Sequence, residues 1–304
     1  MGVPRLFALS GTDAGGSMPE RPHWRTQEAR LRALLGASHF GVISDFDGTL
    51  SPFTAIPDAA CIAPASAAAL DRLLALGVPV ALLSGRSAGD LRTRFTRPAL
   101  TYVGNHGLDY WNGAATELIE AVRPWRDALE AVLTAVPPFA DPAIIIENKG
   151  VTATLHYRAT VDHAAASAAI EAAVRPLCAR YGLVLNAGNQ IWEIKPPLAL
   201  NKGTALAAIV AEQGLDGVLF LGDDTTDLLA MAELRRLRAS HDTAAAPLRG
   251  LSVGVLHGDD TPIELDELCD IVASDTADVA RLLDWLADTI AARGGARVAE
   301  LGGR

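Results

Sequence analysis

The stretch Asp45-Phe46-Asp47-Gly48-Thr49-Leu50 closes an apolar run, Phe40-Gly41-Val42-Ile43-Ser44. A β-branched and aromatic run of this length, stopping at two carboxylates and a glycine, reads as a buried strand delivering acids to one edge of a sheet. Open α/β sheets bind their ligands outside that edge. One residue apart on extended backbone, Asp45 and Asp47 lean to the same side and repel each other, so the pair wants a cation. The competing reading is a strand that ends in an ordinary Asp-Gly turn. The rest of the chain decides between the two.

Outward from this stretch, residues 65–77 are rich in strong helix formers and stop at Gly77, and 78–83 form a second apolar strand. Strand, helix and strand make a βαβ unit with a parallel sheet. The second strand ends in Ser84-Gly85-Arg86, and a third, 100–103, ends in Gly104-Asn105-His106-Gly107. Between 108 and 197 the rhythm changes to a helix (124–136), two strands (143–148 and 151–157), a helix (161–181) and two strands (183–187 and 191–195). Lys149-Gly150 and Gly188-Asn189-Gln190 supply the short connections. This is an antiparallel α+β module inserted into a doubly wound domain. The βα rhythm returns at Asn201-Lys202-Gly203 and at the strand 217–221, which ends in Gly222-Asp223-Asp224-Thr225-Thr226-Asp227. Two more strands, 251–256 and 270–273, precede a closing helix over 279–292. The expected division is a mobile extension over 1–24, a core of 25–107 and 198–293, a cap of 108–197 and a frayed tail from 294, with a short helix over 26–35 leading into the first strand.

Of 304 residues, 50% are hydrophobic and 20% charged, enough to bury a sizeable core. Lys and Arg number 26 against 36 Asp and Glu, a formal charge of -10, which argues against nucleic acid as partner. Cys61, Cys178 and Cys269 stand in no metal-ligand spacing and read as small core residues. The start lacks the apolar core of a signal peptide and no stretch suits a membrane span, so a reducing cytoplasm is the expected location.

The strand ends bring together Asp45 and Asp47, Ser84, Lys202 at a helix start, and Asp223, Asp224 and Asp227. Clustered carboxylates with a hydroxyl and an ammonium are the inventory for Mg-dependent phosphoryl transfer, because hard oxygen ligands suit Mg2+. In this order the set resembles the four motifs of the haloacid dehalogenase superfamily of phosphatases, over about residues 40–290. The resemblance implies a haloacid dehalogenase-like core with Asp45 as nucleophile and Asp47 as general acid and then base. It implies Mg2+ held by Asp45, the Asp47 carbonyl and Asp223, with Asp227 as a further ligand or supporting acid. Ser84 and the amides of Gly48 and Thr49 would hold phosphate oxygens, and Lys202 would offset charge.

Within that superfamily the chain is similar to the trehalose-6-phosphate phosphatase family. The carrying stretches are Ser84-Gly85-Arg86, Gly104-Asn105-His106-Gly107, Glu147-Asn148-Lys149-Gly150, Leu155-His156-Tyr157-Arg158, Glu193-Ile194-Lys195-Pro196 and Asn201-Lys202-Gly203. The resemblance implies that the insert caps the sugar, with Lys149 on the phosphate or a nearby hydroxyl, Glu193 on glucose hydroxyls, and Arg86, Asn105 and His106 lining the boundary. His156 and Arg158 would touch substrate or else satisfy each other, and Trp192 reads as core. After Asp227 the family commonly carries an acid where this chain has Leu228. Alternatives are phosphatases of glucosylglycerol, mannosylglycerate or sucrose phosphates, a mutase, and a silent sugar-phosphate sensor or partner of a trehalose-phosphate synthase. Cap motion about residues 107–111 and 196–199 is expected.

Overall fold

The computed structural model describes residues 21–54, 59–188, 190–240 and 247–302, with side chains to 293. In chain order the elements are α1 (Glu28–Leu34), β1 (Phe40–Ser44), α2 (Pro64–Ala75), β2 (Val80–Leu83), α3 (Ala88–Arg94), β3 (Leu100–Gly104), β4 (Asp109–Trp111), β5 (Thr116–Leu118) and α4 (Arg126–Ala135). There follow β6 (Ile145–Asn148), β7 (Ala153–His156), α5 (His163–Tyr181), β8 (Val184–Gly188), β9 (Ile191–Lys195), α6 (Lys202–Glu212) and β10 (Gly217–Gly222). The chain closes with α7 (Asp227–Ala239), β11 (Arg249–Val255), α8 (Leu265–Leu268), β12 (Ile271–Ala273) and α9 (Thr276–Gly302).

Among the described residues the strands make two sheets, one of eight in the order β12-β11-β10-β1-β2-β3-β4-β5 and one of four in the order β6-β7-β9-β8. From β12 to β3 neighbouring strands run parallel. β1 and β10 are buried at every position, as strands covered on both faces must be. Val42, Val80 and Leu82 pack with α2 and α9 on one face, and Ile43, Ala81 and Leu83 pack with α6 and α7 on the other. The chain leaves β1 toward β2 and β3 but returns on the far side of β1, as β10. The order therefore reverses between β1 and β10, where a crevice opens at the strand ends.

Four expectations shift. Residues 1–20 of the expected extension lie outside the described residues, but 21–24 are packed. Trp24 is 1% exposed, its indole N–H donates to Asp278 Oδ2 at 2.9 Å, and Val272 N–H donates to Pro22 O at 3.1 Å. A large ring able to bury its body and satisfy its one donor belongs inside. The expected boundary at 108 falls before β4 and β5, which extend the large sheet by antiparallel pairing from β3. The chain turns back at the Asn105-His106-Gly107 bend and still has an open edge to pair with. α9 runs on to Gly302 through the expected tail, and residues 303–304 lie outside the described set. Cys178 and Cys269 are buried as expected, whereas Cys61 is exposed.

In the second sheet, Ala153, Leu155, Trp192, Ile194 and Leu185 pack against α4 and α5, with Leu129, Val132, Ile170 and Val174. Strand alternation then turns Glu147, Thr154, His156, Glu193, Lys195 and Asn186 to the opposite face. Among the described residues no helix is long and apolar enough to cross a membrane.

Candidate active site

β1 and β10 run side by side in register, with Ser44 opposite Leu221, and the Asp45 N–H donates to Leu221 O at 2.9 Å. The acids that follow each strand therefore emerge together. Asp45, Asp223 and Asp227, all buried, can each place one oxygen within 4.8 Å of the others. Lys202 enters from the first turn of α6. Asn201 caps that helix, its Oδ1 accepting from the N–H groups of Gly203 (2.8 Å) and Thr204 (3.2 Å) while Thr204 Oγ1 accepts from Asn201 N–H at 3.0 Å. This reciprocal cap pins the helix start and the lysine on it. The Lys202 side chain is 1% exposed, with Nζ 2.9 Å from Asp45 Oδ1 and 3.9 Å from Asp224 Oδ1, and it donates to Asp227 Oδ1 at 2.8 Å.

Burial pushes the Asp45 carboxyl up to about 7; the Lys202 ammonium pulls it back and the neighbouring acids add to the rise. Burial likewise raises Asp223 and Asp227. It works against the Lys202 ammonium, but Asp224, Asp227 and Asp45 overcome it and hold that group well above the lysine range. Desolvation works against the Asp224 carboxylate, whose side chain is half exposed, but Lys202 and the bonds from Asp227 and Thr226 outweigh it and draw that group far below the carboxylate range. Its Oδ1 accepts from the N–H groups of Thr226 (2.8 Å) and Asp227 (3.0 Å), which opens α7.

These residues fit a hard divalent cation. Asp45 Oδ1 is buried and receives no aligned hydrogen bond despite the nearby ammonium. Several buried carboxylates face one buried lysine, and the donors are all oxygen. Asp227 is the most occupied of them: Oδ1 accepts from Lys202, and Oδ2 from the N–H groups of Asp223 (3.0 Å) and Asp224 (3.1 Å). Its geometry suits holding Lys202 and the Asp223 loop in place. Gly48 has φ +76°, and a Cβ there would sit 2.2 Å from Asp223 Oδ2, so the two acidic loops meet only because this residue lacks a side chain.

The other candidates divide. Thr49 Oγ1 donates to Asp223 Oδ1 at 2.9 Å, so this side chain braces an acid. The Gly48 amide, expected on a phosphate oxygen, donates to Ser51 O at 2.8 Å, because the left-handed bend folds the loop onto itself. Ser84 is buried, and its Oγ accepts from Arg86 N–H at 3.4 Å. Arg86, expected at the sugar boundary, grips Asp47 with two bonds (Nε to Oδ2, 2.6 Å; Nη2 to Oδ1, 2.8 Å) and reaches Asp90 at 3.1 Å. Both oxygens of Asp47 are thereby engaged by one planar guanidinium.

The polar face of the second sheet supplies the remaining groups. Lys149 Nζ donates to Gly85 O at 3.2 Å and lies 3.7 Å from Glu147, which takes His156 Nε2 at 2.9 Å. Glu193 lies 3.7 Å from His106 Nε2 and 3.4 Å from Lys195. Asn105 and His106 both adopt positive φ, and Asn105 is bound into the junction: Nδ2 donates to Asp109 Oδ2 (2.6 Å) and Lys149 O (3.2 Å), and Oδ1 accepts from Thr152 (3.0 Å). Burial, then Lys202 and Lys149, lower His106 to about 3, so it is neutral. Arg158 is not brought into this group. Its Nε donates to Gln190 Oε1 at 3.1 Å, at the end of the sheet remote from Lys149. Trp192 is core, as expected.

The sequence reading assigns no role to Glu147, Lys195 or Asp90. A signal existed for the first two: Lys195 lies two residues from Glu193 on one strand, and the hairpin register sets Glu147 opposite Thr154, itself opposite Glu193. Asp90 carried none, since its meeting with Arg86 depends on the turn into α3.

The fold is shared with solved proteins. The C-terminal domain of a Candida albicans trehalose-6-phosphate phosphatase superposes with a TM-score of 0.70 at 20% identity, covering 89% of this chain and 99% of that one. An Aspergillus fumigatus trehalose-6-phosphate phosphatase gives 0.58 at 23% identity, covering 86% and 97%. In sequence, a Mycobacterium tuberculosis trehalose-phosphate phosphatase is 32% identical over 206 residues, 64% of this chain and 51% of that protein. The Mycobacterium avium one is 30% identical over 277 residues, 83% of this chain and 66% of that one. An uncharacterized Mycobacterium tuberculosis glycosyl hydrolase is 35% identical over 218 residues, 66% of this chain but 16% of its own length. The chain thus spans from about a sixth to two thirds of these curated relatives. The trehalose-phosphatase family model matches residues 43–247, from inside β1 through the Asp223 loop and α7, and so takes in the acids, the lysine and the polar face together: the chain belongs to the trehalose-phosphatase family.

Proposed function

We propose that this chain hydrolyses trehalose 6-phosphate to trehalose and phosphate through a covalent phosphate ester of Asp45. The observation that carries the reading is the convergence of the Asp45, Asp223 and Asp227 oxygens within 4.8 Å, with the Lys202 ammonium 2.9 Å from Asp45. A carboxylate attacks a phosphate dianion only where the combined negative charge is offset. Asp45 and Asp223 would hold Mg2+, with the Asp47 carbonyl, while Asp227 steadies Lys202. When bound, the ion supplies positive charge beside the transferring phosphoryl group.

An Asp45 oxygen forms a bond to phosphorus as the bond from phosphorus to the sugar oxygen breaks, and a proton from the Asp47 carboxyl goes to that oxygen. A water oxygen then bonds to phosphorus, its proton passes to the Asp47 carboxylate, and the bond to Asp45 breaks, freeing phosphate. Dividing the reaction lowers each barrier. Asp47 must first leave Arg86, which holds both of its oxygens. The released guanidinium, beside Ser84, is then placed for a phosphate oxygen.

Sugar recognition falls to Glu147, Lys149, His156, Glu193 and His106. A disaccharide presents many hydroxyls, and buried polar groups left unpaired by the wrong sugar discriminate strongly. Phosphate release from trehalose, glucosylglycerol, mannosylglycerate, sucrose and glucose phosphates, with and without Mg2+, tests the reading. Preference for any sugar phosphate other than trehalose 6-phosphate refutes the substrate, and release unaffected by Mg2+ removal refutes the metal. We also keep association with a trehalose-phosphate synthase as a proposal; co-purification of the two from one lysate supports it.

A further inference from the structure

We propose that His257 is a positioning residue for Asp223, its imidazole N–H holding the carboxylate that faces the metal. The inference rests on the metal reading above and adds a residue that no motif marks. His257 stands two residues beyond β11, on a third loop beside those of β1 and β10. Its Nε2 is buried, has no aligned hydrogen-bond partner among the described residues, and lies 3.4 Å from Asp223 Oδ2.

The setting is built to aim this ring. Its own backbone N–H donates to Thr261 Oγ1 at 2.7 Å, and the Asp260 N–H returns to its carbonyl at 3.3 Å, closing the loop behind it. The Phe53 ring covers one side, with centroids 4.6 Å apart and planes at 59°. From the other direction Thr49 Oγ1 holds Asp223 Oδ1 at 2.9 Å. Asp223 is thus braced by a hydroxyl from the β1 loop and an imidazole from the β11 loop. The two fix the carboxylate's rotation, and a small approach of the ring completes an ordinary hydrogen bond. A buried N–H without an acceptor is costly; the Gly48 backbone offers this ring a neutral oxygen, and the one anionic oxygen within reach of Nε2 is Asp223 Oδ2. Groups that orient a metal-bound carboxylate typically carry 10- to 100-fold in metal affinity.

The test is calorimetric titration of the metal-stripped full chain with Mg2+ and Mn2+, without substrate. His257→Ala is expected to raise Kd by about 10- to 100-fold. His257→Gln, which can return an N–H to the same oxygen, is expected to recover most of that affinity, and the shorter His257→Asn is not. A folded His257→Ala or His257→Asn with wild-type Kd overturns the inference, as does nitrogen coupling to bound Mn2+ in the wild type, which would put the imidazole on the ion. Wild-type protein that binds neither ion overturns the metal reading itself and this inference with it.

Discussion

Replacing Lys202 by Met keeps the length of the side chain and removes a charge that is almost wholly buried. The ammonium sits 2.9 Å from Asp45 and 2.8 Å from Asp227. At an effective dielectric of about 20, each such contact is worth about 6 kcal/mol before desolvation. Methionine also relieves the cost of burying the lysine, so the gross attraction is largely offset. What remains is the penalty of leaving buried carboxylates without their cation, about 3–5 kcal/mol. At about 2–4 °C per kcal/mol for a chain approaching this size, the metal-free variant should melt on the order of 10 °C below the wild type. The deficit should depend on pH. Below about 7 Asp45 carries a proton and needs no counter-ion, so the difference narrows there and widens above. Saturating Mg2+ should recover more stability in the variant than in the wild type. Differential scanning calorimetry across pH, with EDTA or Mg2+, measures all three. A deficit of equal size on both sides of pH 7, or none, refutes the claim that Lys202 acts as a buried counter-ion.

Asp45 gives a further pH signature. Its carboxyl rises from 3.8 to about 7 in the fold, so the folded state keeps a proton that the unfolded chain releases. The stability this contributes is complete below about 4 and is lost as pH climbs through 7, with an upper bound of about 4 kcal/mol. The melting temperature of metal-free wild type relative to Asp45→Asn should therefore fall over that interval, and a flat or rising difference would refute the raised carboxyl. The same Asp45→Asn variant should release no phosphate above background. Gly48→Ala forces a Cβ to within 2.2 Å of Asp223 Oδ2 at φ +76°, and should cost about 1–3 kcal/mol of stability and weaken Mg2+ binding, read by calorimetry. Trp24→Ala should cost about 3–5 kcal/mol in denaturant unfolding, because it empties a buried site and removes one of the donors to Asp278; a loss below about 1 kcal/mol would return residues 21–24 to the status of a loose extension.

The doubly wound core was legible along the chain because its evidence is local. Runs such as 217–221 can be buried only as covered strands, and each ends in groups that cannot stay inside. That Asp45, Lys202 and Asp223 come close together was legible too, since parallel strands send their carboxyl ends to one edge and a helix returning antiparallel to them starts at that same edge. Pairing decided the rest. β4 and β5 joined the large sheet because β3 had an open edge, and three-residue strands carry too little periodicity to announce a partner. Trp24 looked like part of a loose arm because its acceptor, Asp278, lies 254 positions away. Arg86 was read from its motif as lining the boundary of core and cap, and only the bend after β2 shows that its fork falls on Asp47 and Asp90. Order along the sequence determined which residue types reach the sheet edge, through the alternation and helix propensities each segment obeys alone. Only folding decided which of them touch, because a hydrogen bond depends on ångström distances between loops whose separation in the chain leaves no local trace.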